Sequence, residues 1–266
     1  MLWPEDWDKP SEDNRELCSL FSSGIWHDKE DRTLYLKYRF YDPKTKEKCP
    51  LSVYLHGADA FGDDNLSQLS LHDIGTMFAK KEWQDSHPCY ILAPQCDQKK
   101  HWSRKEITKA LQELVSSFIA DHDNIDTDRI YIYGYSAGGI GTLSVIKENP
   151  GFYAAAVPIC GASGGDNIGA LMKTPVWLVH AFDDRIVKAS YGNPGEGSKF
   201  YLGSRDIYEL LSKRPSKCEI LYTEYPAGWM KDIMGVNPHC SWVAVSDARQ
   251  GSRIREWMFR QKRKAE

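Results

Sequence analysis

The sequence lacks the features that mark membrane proteins, secretory precursors and nucleic-acid-binding proteins. No apolar run approaches the length needed to cross a bilayer. Residues 1–10 have neither a basic start nor an apolar core, so no signal peptide is indicated. We therefore expect a cytoplasmic location, or a secreted one if a leader has been removed. The formal net charge is only −3, and the basic cluster at 253–264 is interpreted as a solvated helix face rather than a binding patch, so no nucleic-acid partner is expected.

Zinc-site spacing, internal repeats and domain linkers are also missing. The seven cysteines are an odd number, and several lie in apolar runs typical of buried strands. We expect mostly free thiols and no metal, although a Cys89–Cys96 bridge stays open for a secreted protein. The 266 residues, 41% of them hydrophobic, suffice for one large α/β domain, and the Gly/Ser/Pro-rich stretch 190–204 is interpreted as a loop inside it.

Apolar segments typical of buried strands alternate with helical patterns along most of the chain. Strands are predicted at 33–41, 50–55, 89–93, 129–135, 154–159, 175–180 and 219–223. Helices are predicted at 104–121, 137–149, 204–211 and from about 252, and the apolar spacing in 71–78 predicts one more. Strands separated by helices need crossover connections, so the sequence predicts a mostly parallel sheet with helices on both faces.

One serine lies between a predicted buried strand and a predicted helix. In that context Gly134-x-Ser136-x-Gly138 is typical of a nucleophile elbow, where glycines flank the serine because the turn leaves no room for Cβ atoms. The pattern alone is weak, because a glycine-rich turn that packs a helix on a sheet produces it as well. Ser136 is therefore a candidate nucleophile whose partners have to come from elsewhere in the chain.

A serine nucleophile needs a base to take its proton and a carboxylate to orient that base. Two histidines follow Ser136 in the sequence. His180 ends an apolar strand and is interpreted as structural, whereas His239 lies in a loop between the last strand and the last helix, where the base is required. Two adjacent carboxylates, Asp183 and Asp184, follow the strand that ends at His180, and the residues alone leave the choice between them open.

Several stretches together match one known group of enzymes. They are Leu55-His56-Gly57-Ala58 with Gly62-Asp63-Asp64-Asn65, Ala93-Pro94-Gln95-Cys96, Asp128-Arg129-Ile130-Tyr131, Gly134-Tyr135-Ser136-Ala137-Gly138-Gly139, the run 155–161, Tyr222-Thr223-Glu224-Tyr225-Pro226 and His239-x-Ser241-Trp242. From about residue 50 to 257 the chain thereby resembles the α/β-hydrolase superfamily, specifically its predicted-peptidase, polyhydroxybutyrate-depolymerase-like and feruloyl-esterase-like esterases. The resemblance implies one α/β-hydrolase domain over 1–266, with an N-terminal extension at 1–32 and inserted loops at 188–203 and 227–238.

The resemblance also implies roles for individual residues. Asp184 is implied as the acid, since the family's acid stands four residues after a strand-end histidine and three before a valine, here His180 and Val187. The backbone N–H groups of Ala137, directly after the nucleophile, and of Ala58 are expected to form the oxyanion hole.

The chain departs from the family pattern around the expected pocket. Asp59 and Ala60 replace the usual glycine and glutamate, which puts any substrate contact of that glutamate in question. The two inserted loops flank the expected triad, and loops at this rim set specificity. Aromatic and apolar candidates for lining the pocket are Trp102, Tyr135, Tyr191, Phe200, Tyr201, Trp229 and Met230. Ordinary packing explains these side chains at least as well.

The sequence thus predicts a serine carboxylesterase that works through an acyl-enzyme and needs no cofactor. The resemblance implies a small-molecule or carbohydrate-linked ester as substrate, with acetyl or feruloyl esters of plant carbohydrate favoured, and no membrane partner. Two alternatives remain. A serine peptidase of the same fold ranks lower because no propeller-sized extension gates the site, and an intact serine, histidine and aspartate disfavour a hydrolase-like binding protein without catalysis.

Overall fold

An eight-stranded sheet forms the centre of the computed structural model, which describes residues 7–97, 100–192, 201–216 and 218–263. The strands are β1 Ser22–His27, β2 Tyr35–Tyr41, β3 Cys49–Leu55, β4 Tyr90–Gln95, β5 Ile125–Tyr135, β6 Ala155–Ile159, β7 Ala162–Gly164, β8 Val176–Ala181, β9 Tyr201–Gly203 and β10 Ile220–Tyr225. The sheet order is β1-β2-β4-β3-β5-β6-β8-β10; the pairs β1–β2 and β2–β4 are antiparallel, and every pairing from β4–β3 to β8–β10 is parallel. Strands β7 and β9 form a separate antiparallel pair.

Helices cover both faces of this sheet. They are α1 Asn14–Ser19, α2 Ser67–Ser70, α3 Lys81–Ser86, α4 Lys105–Ala120, α5 Ala137–Glu148, α6 Ser204–Leu211, α7 Trp229–Met234, α8 Trp242–Ser246 and α9 Ser252–Arg260. Buried side chains of α4, α5 and α6 pack with the sheet in one hydrophobic cluster, and those of α1, α8 and α9 belong to a second. The predicted fold class, a mostly parallel sheet between two helical layers, is therefore confirmed.

The burial of the central strands explains why they could be predicted from the sequence. Every residue of β3 and β8 is buried, because a parallel strand covered on both faces exposes neither row of side chains and so becomes a continuous apolar run. The parallel arrangement also places the carboxyl ends of β3, β5 and β8 at one edge of the sheet. In such sheets, ligands bind beyond this edge.

Two regions differ from the sequence-based expectation. Residues 71–78 form short 3₁₀ turns, Asp73–Gly75 and Met77–Ala79, instead of an α-helix. Their apolar positions 71, 74 and 77 repeat every three residues, which is the period of a 3₁₀ segment. The N-terminal part contains α1 and β1, for which no pattern was evident, because β1 is an edge strand whose side chains are exposed or half-buried.

None of the seven cysteines is in a disulfide bond, and six of them are buried. The expectation of mostly free thiols is confirmed, and Cys89 and Cys96 form no bridge with each other. Burial raises the pKa of the Cys96 thiol to about 12, so it stays protonated at neutral pH. Within the described ranges, no helix is long and apolar enough to cross a membrane.

Candidate active site

Ser136 lies in the turn between β5 and α5 with a strained backbone, φ 52° and ψ −118°. Non-glycine residues seldom adopt positive φ, so the surrounding packing has to enforce it. A Cβ atom at Gly134 would lie 2.6 Å from the Leu55 carbonyl oxygen, and one at Gly138 would lie 2.0 Å from the same atom. Both flanking positions therefore require glycine, and Ser136 itself is only partly buried.

Three side chains from separate loops meet at this turn. Ser136 Oγ donates a hydrogen bond to His239 Nε2 at 2.9 Å, and His239 Nδ1 donates to Asp184 Oδ2 at 2.7 Å. Asp184 follows β8, whereas His239 precedes α8, so the three residues come together only through the fold. The order of nucleophile, base and acid is the geometry that activates a serine hydroxyl.

The surroundings of Asp184 keep its carboxylate ionised. Its Oδ1 accepts the N–H groups of Ile186 and Val187 at 2.8 and 3.1 Å, which fixes the side chain by a local turn. Burial alone would raise the pKa of this carboxyl, but hydrogen bonds from His180 and His239 outweigh burial and hold the pKa well below its usual range. An ionised acid is what a neighbouring imidazolium requires.

His180 contacts both Asp184 and the loop that follows it. It is completely buried, and its Nε2 donates to the Val187 carbonyl at 2.8 Å while Nδ1 accepts from Ser204 Oγ at 2.8 Å. The same Nε2 lies 3.3 Å from Asp184 Oδ2. His180, at the end of β8, thus holds the loop that contains Asp184 and Val187, in line with its interpretation as a structural residue.

Ala58 and Ala137 occupy neighbouring backbone segments. Ala58 begins a 3₁₀ turn after β3, and Ala137 is the first residue of α5. The close contact of Gly138 with the backbone oxygens of Leu55 and His56 brings these two segments side by side. Backbone N–H groups from two elements beside the nucleophile are the arrangement that an oxyanion hole needs.

A neutral histidine holds the segment that carries Ala58. His56 Nε2 accepts the Cys96 N–H at 3.0 Å, and its Nδ1 donates to the Gly57 carbonyl at 2.7 Å. Burial lowers the pKa of His56 to about 4, in agreement with this neutral tautomer. Trp102 Nε1 donates to the His56 carbonyl at 3.0 Å. Trp102 is fully buried, so it supports this segment and does not line an open pocket as its sequence position suggested.

The remaining pocket candidates divide by burial. Tyr135 is buried and its hydroxyl donates to Asp59 Oδ1 at 2.8 Å, so it too presents no surface to a substrate. Met230 is completely buried in the core. Trp229 is half-buried and stacks on Tyr225 with ring centroids 4.4 Å apart. Aromatic pattern alone could not separate these packing roles from pocket positions, because both favour large side chains.

Two candidates on the first inserted loop are exposed. Tyr191 and Tyr201 are 40% and 60% exposed, and their ring centroids lie 6.4 Å apart. Phe200 lies outside the described residues. Tyr191 and Tyr201 therefore keep the accessibility that a substrate contact requires.

Two tryptophans beside the base were not singled out from the sequence. The Trp7 ring lies 5.8 Å from the His239 ring, and the Trp242 ring lies 5.6 Å from it, edge to face. Trp242 was visible as part of the His239-x-Ser241-Trp242 match. Trp7 was not, because it belongs to an N-terminal stretch without any periodic pattern.

Among the residues that the structure describes, one group of side chains has the spacing of metal ligands. Atoms of Cys160, Asp184 and His239 all lie within 4.8 Å of one another. Burial raises the pKa of the Cys160 thiol well above its usual value, so the thiol is protonated, whereas metals bind the thiolate. Cys160 Sγ accepts the Ser136 N–H at 3.2 Å, and Asp184 and His239 bind each other. The donor set therefore fits a catalytic triad better than a metal centre.

Comparison with known proteins finds similarity to esterases and peptidases. A profile of the prolyl oligopeptidase family (Peptidase_S9) matches residues 97–189. A thermostable esterase is 32% identical with a TM-score of 0.80, and the match covers 93% of this chain and 64% of the esterase. The acylaminoacyl peptidase of Pyrococcus horikoshii is 15% identical with a TM-score of 0.62, covering 93% of this chain and 43% of the peptidase.

A third similar structure is matched over nearly its whole length. The fluorophosphonate-binding serine hydrolase F of Staphylococcus aureus, solved with bound substrate, is 13% identical with a TM-score of 0.59, and the match covers 91% of this chain and 98% of that protein. At such identities the peptidase and this hydrolase support the fold alone. A comparison with curated proteins finds no significant match. The chain spans less than two thirds of the length of the esterase and less than half of that of the peptidase.

Proposed function

Since this chain belongs to the α/β-hydrolase superfamily and resembles its esterases and peptidases, we propose that it is a serine hydrolase that cleaves carboxylic esters through an acyl-enzyme. One observation carries the proposal. Ser136 Oγ, on a strained elbow, lies 2.9 Å from His239 Nε2, and that histidine in turn binds the ionised Asp184. These are the distances at which a base takes a proton from a nucleophile.

The proposed acylation combines the attack of Ser136 on the ester with proton transfer through His239. Ser136 Oγ attacks the carbonyl carbon of the ester while His239 Nε2 takes the hydroxyl proton. The carbonyl oxygen becomes an oxyanion, which the N–H groups of Ala58 and Ala137 stabilise. The tetrahedral intermediate then breaks the bond to the alcohol oxygen, and His239 returns its proton to that leaving group. Asp184 keeps Nδ1 protonated throughout, so Nε2 is the nitrogen that exchanges the proton.

Deacylation repeats these steps with water as the nucleophile. His239 Nε2 takes a proton from water, the resulting hydroxide adds to the acyl carbon, and the intermediate expels Ser136 Oγ, which recovers its proton from His239. The products are a carboxylic acid and an alcohol. Every proton movement uses side chains of this chain, so the proposed cycle needs no cofactor.

The finer part of the proposal is the substrate: acetyl or feruloyl esters of plant carbohydrate, or similar small acyl esters. The resemblance to feruloyl-esterase-like enzymes supports it. Exposed Tyr191 and Tyr201 offer surfaces on which a hydroxycinnamoyl ring can pack. A cleft of about 590 Å³ beside Asp184, lined by residues 182–185 and 188–190 and by Arg205, is large enough to hold such a group.

A peptidase is the second candidate. The match to the prolyl oligopeptidase family over residues 97–189 favours it, because that segment contains the elbow and the acid. The thermostable esterase is the more similar protein, and its match covers 93% of this chain. We therefore rank ester cleavage first and treat amide cleavage as the outcome that would displace it.

Two assays on purified protein test the proposal. Wild type should release p-nitrophenol from short-chain acyl esters and react covalently with a fluorophosphonate. Ser136→Ala should lose both, with turnover lower by a factor on the order of 10⁴ to 10⁶. Equal turnover by wild type and Ser136→Ala would refute the mechanism.

A substrate panel then separates the candidates. Acetylated xylan, methyl ferulate, a triglyceride and dipeptide amides are compared by kcat/KM under identical conditions. Preference for the first two supports the carbohydrate-ester proposal. Preference for the triglyceride refutes that substrate assignment, and preference for the amides refutes esterase function in favour of the peptidase.

A further inference from the structure

A second histidine forms a buried ionic cluster outside the triad. His72 Nδ1 lies 3.0 Å from Asp8 Oδ2, and His72 Nε2 lies 2.5 Å from Asp59 Oδ2. All three side chains are nearly buried. We call Asp8, His72 and Asp59 the ion bridge.

The geometry of the ion bridge requires a charged histidine. Because each ring nitrogen faces a carboxylate, both nitrogens carry a proton. Burial opposes this charge, but hydrogen bonds and charges from Asp59 and Asp8 raise the pKa of His72 to about 9. Two aromatic rings, those of Tyr135 and Trp242, pack edge to face on the imidazole. Neutralising His72 would leave two buried carboxylates without a counter-charge.

On one side the ion bridge reaches the oxyanion loop, residues 57–60. Asp59 Oδ1 accepts the Ala60 N–H at 3.0 Å and the Tyr135 hydroxyl at 2.8 Å. Asp59 directly follows the expected donor Ala58, and Tyr135 directly precedes Ser136. One carboxylate thus links the oxyanion loop to the end of the strand that carries the nucleophile.

On the other side the ion bridge reaches the surroundings of the base. Asp8 Oδ2 also accepts the Trp242 Nε1–H at 3.1 Å. Trp242 packs edge to face on His239, and Trp7, the neighbour of Asp8, packs on both rings. A single imidazolium therefore joins the N-terminal segment, the oxyanion loop and the residues behind the base.

We propose that the ion bridge is a positioning device for catalysis, which holds the oxyanion loop in register with the nucleophile elbow. This inference rests on the proposed ester hydrolysis and adds residues that do not touch the reacting atoms. A donor N–H stabilises the oxyanion only if it is already in place when charge develops.

The first test is a kinetic comparison in the full chain. Asp59→Asn keeps the size of the side chain and an acceptor for Tyr135, but removes the charge that binds His72. We expect kcat to fall about 10- to 100-fold while KM changes less than about threefold, because a misplaced oxyanion donor weakens the transition state more than the bound ester. Tyr135→Phe, which removes only one hydroxyl, should lower kcat by a smaller factor.

The control variant breaks an ion pair outside the ion bridge, on β5, the strand that ends at Tyr135. Asp126 and Arg129 pair at 2.6 Å near the start of β5, far along the strand from Ser136. Asp126→Asn should leave kcat and KM within about twofold of wild type. If Asp59→Asn retains wild-type kcat, whatever its melting temperature, the ion bridge is structural only and the proposal is wrong.

The second test does not depend on activity. Amide hydrogen exchange is followed by mass spectrometry in peptides that cover residues 57–60. Exchange should be at least about tenfold faster in Asp59→Asn than in wild type, and unchanged in Asp126→Asn. Unchanged exchange in Asp59→Asn overturns the positioning proposal even if the esterase assay succeeds. A wild type that hydrolyses no ester refutes the proposed function, while the exchange result still decides whether the ion bridge orders the loop.

Discussion

Asp183 and Asp184 are adjacent in the sequence, but their carboxylates face different parts of the molecule. Asp184 Oδ2 accepts a hydrogen bond from His239 Nδ1 at 2.7 Å, whereas Asp183 Oδ2 accepts the Gly228 N–H at 2.9 Å. Asp183 therefore binds the loop before α7, and Asp184 binds His239, the proposed base. The residues alone could not distinguish the two roles, because both aspartates follow the same strand.

Replacing each aspartate by asparagine separates the two roles by turnover. Asp184→Asn should lower kcat on a p-nitrophenyl ester by about 10⁴-fold, because the amide no longer holds His239 in the tautomer that accepts a proton at Nε2. Asp183→Asn keeps an oxygen that can accept the Gly228 N–H, so its kcat should stay within about threefold of wild type. Steady-state kinetics of the two variants, with melting temperatures as a check on folding, makes the comparison. A larger loss for Asp183→Asn would contradict the assignment.

The central fold and the elbow could be predicted because their signals are local. Buried parallel strands such as β3 and β8 are apolar along their whole length, and the glycines around Ser136 reflect contacts within one turn. His239 could be selected because few histidines follow the nucleophile. These conclusions needed sequence order and residue type, and no knowledge of distant contacts.

The ion bridge and the roles of the buried aromatics could not be predicted in this way. Asp8 is 64 residues from His72 and 234 residues from Trp242, and no sequence period connects them. Trp102 and Tyr135 resembled pocket residues because they stand near motifs, but their polar atoms bind backbone or Asp59 in the interior. Burial decides between these roles, and burial of a single aromatic side chain depends on the tertiary fold.

The glycine at position 138 is expected to tolerate no side chain. A Cβ atom there would lie 2.0 Å from the Leu55 carbonyl oxygen and 2.6 Å from that of His56, and neither backbone can move without shifting the elbow. Gly138→Ala should therefore destabilise the protein by about 3 kcal/mol or more and abolish labelling by a fluorophosphonate. Urea unfolding provides the measurement. Gly62→Ala is the control, since its nearest new contact is a side-chain nitrogen at 3.3 Å, and a similar loss in both variants would refute the packing explanation.

The charge on His72 should make the free energy of unfolding fall at alkaline pH. The pKa of His72 is raised from 6.5 to about 9, so the folded state binds the proton more tightly than the unfolded chain does. The resulting stabilisation, about 3 kcal/mol, is fully present below pH 6.5 and is lost as pH rises through about 9. Urea unfolding of wild type and His72→Gln between pH 6 and 10 measures it, and buried cysteines and tyrosines that titrate in both proteins cancel in the difference. The two curves should converge as pH rises; a difference that stays constant across this range would show that His72 is neutral in the folded protein.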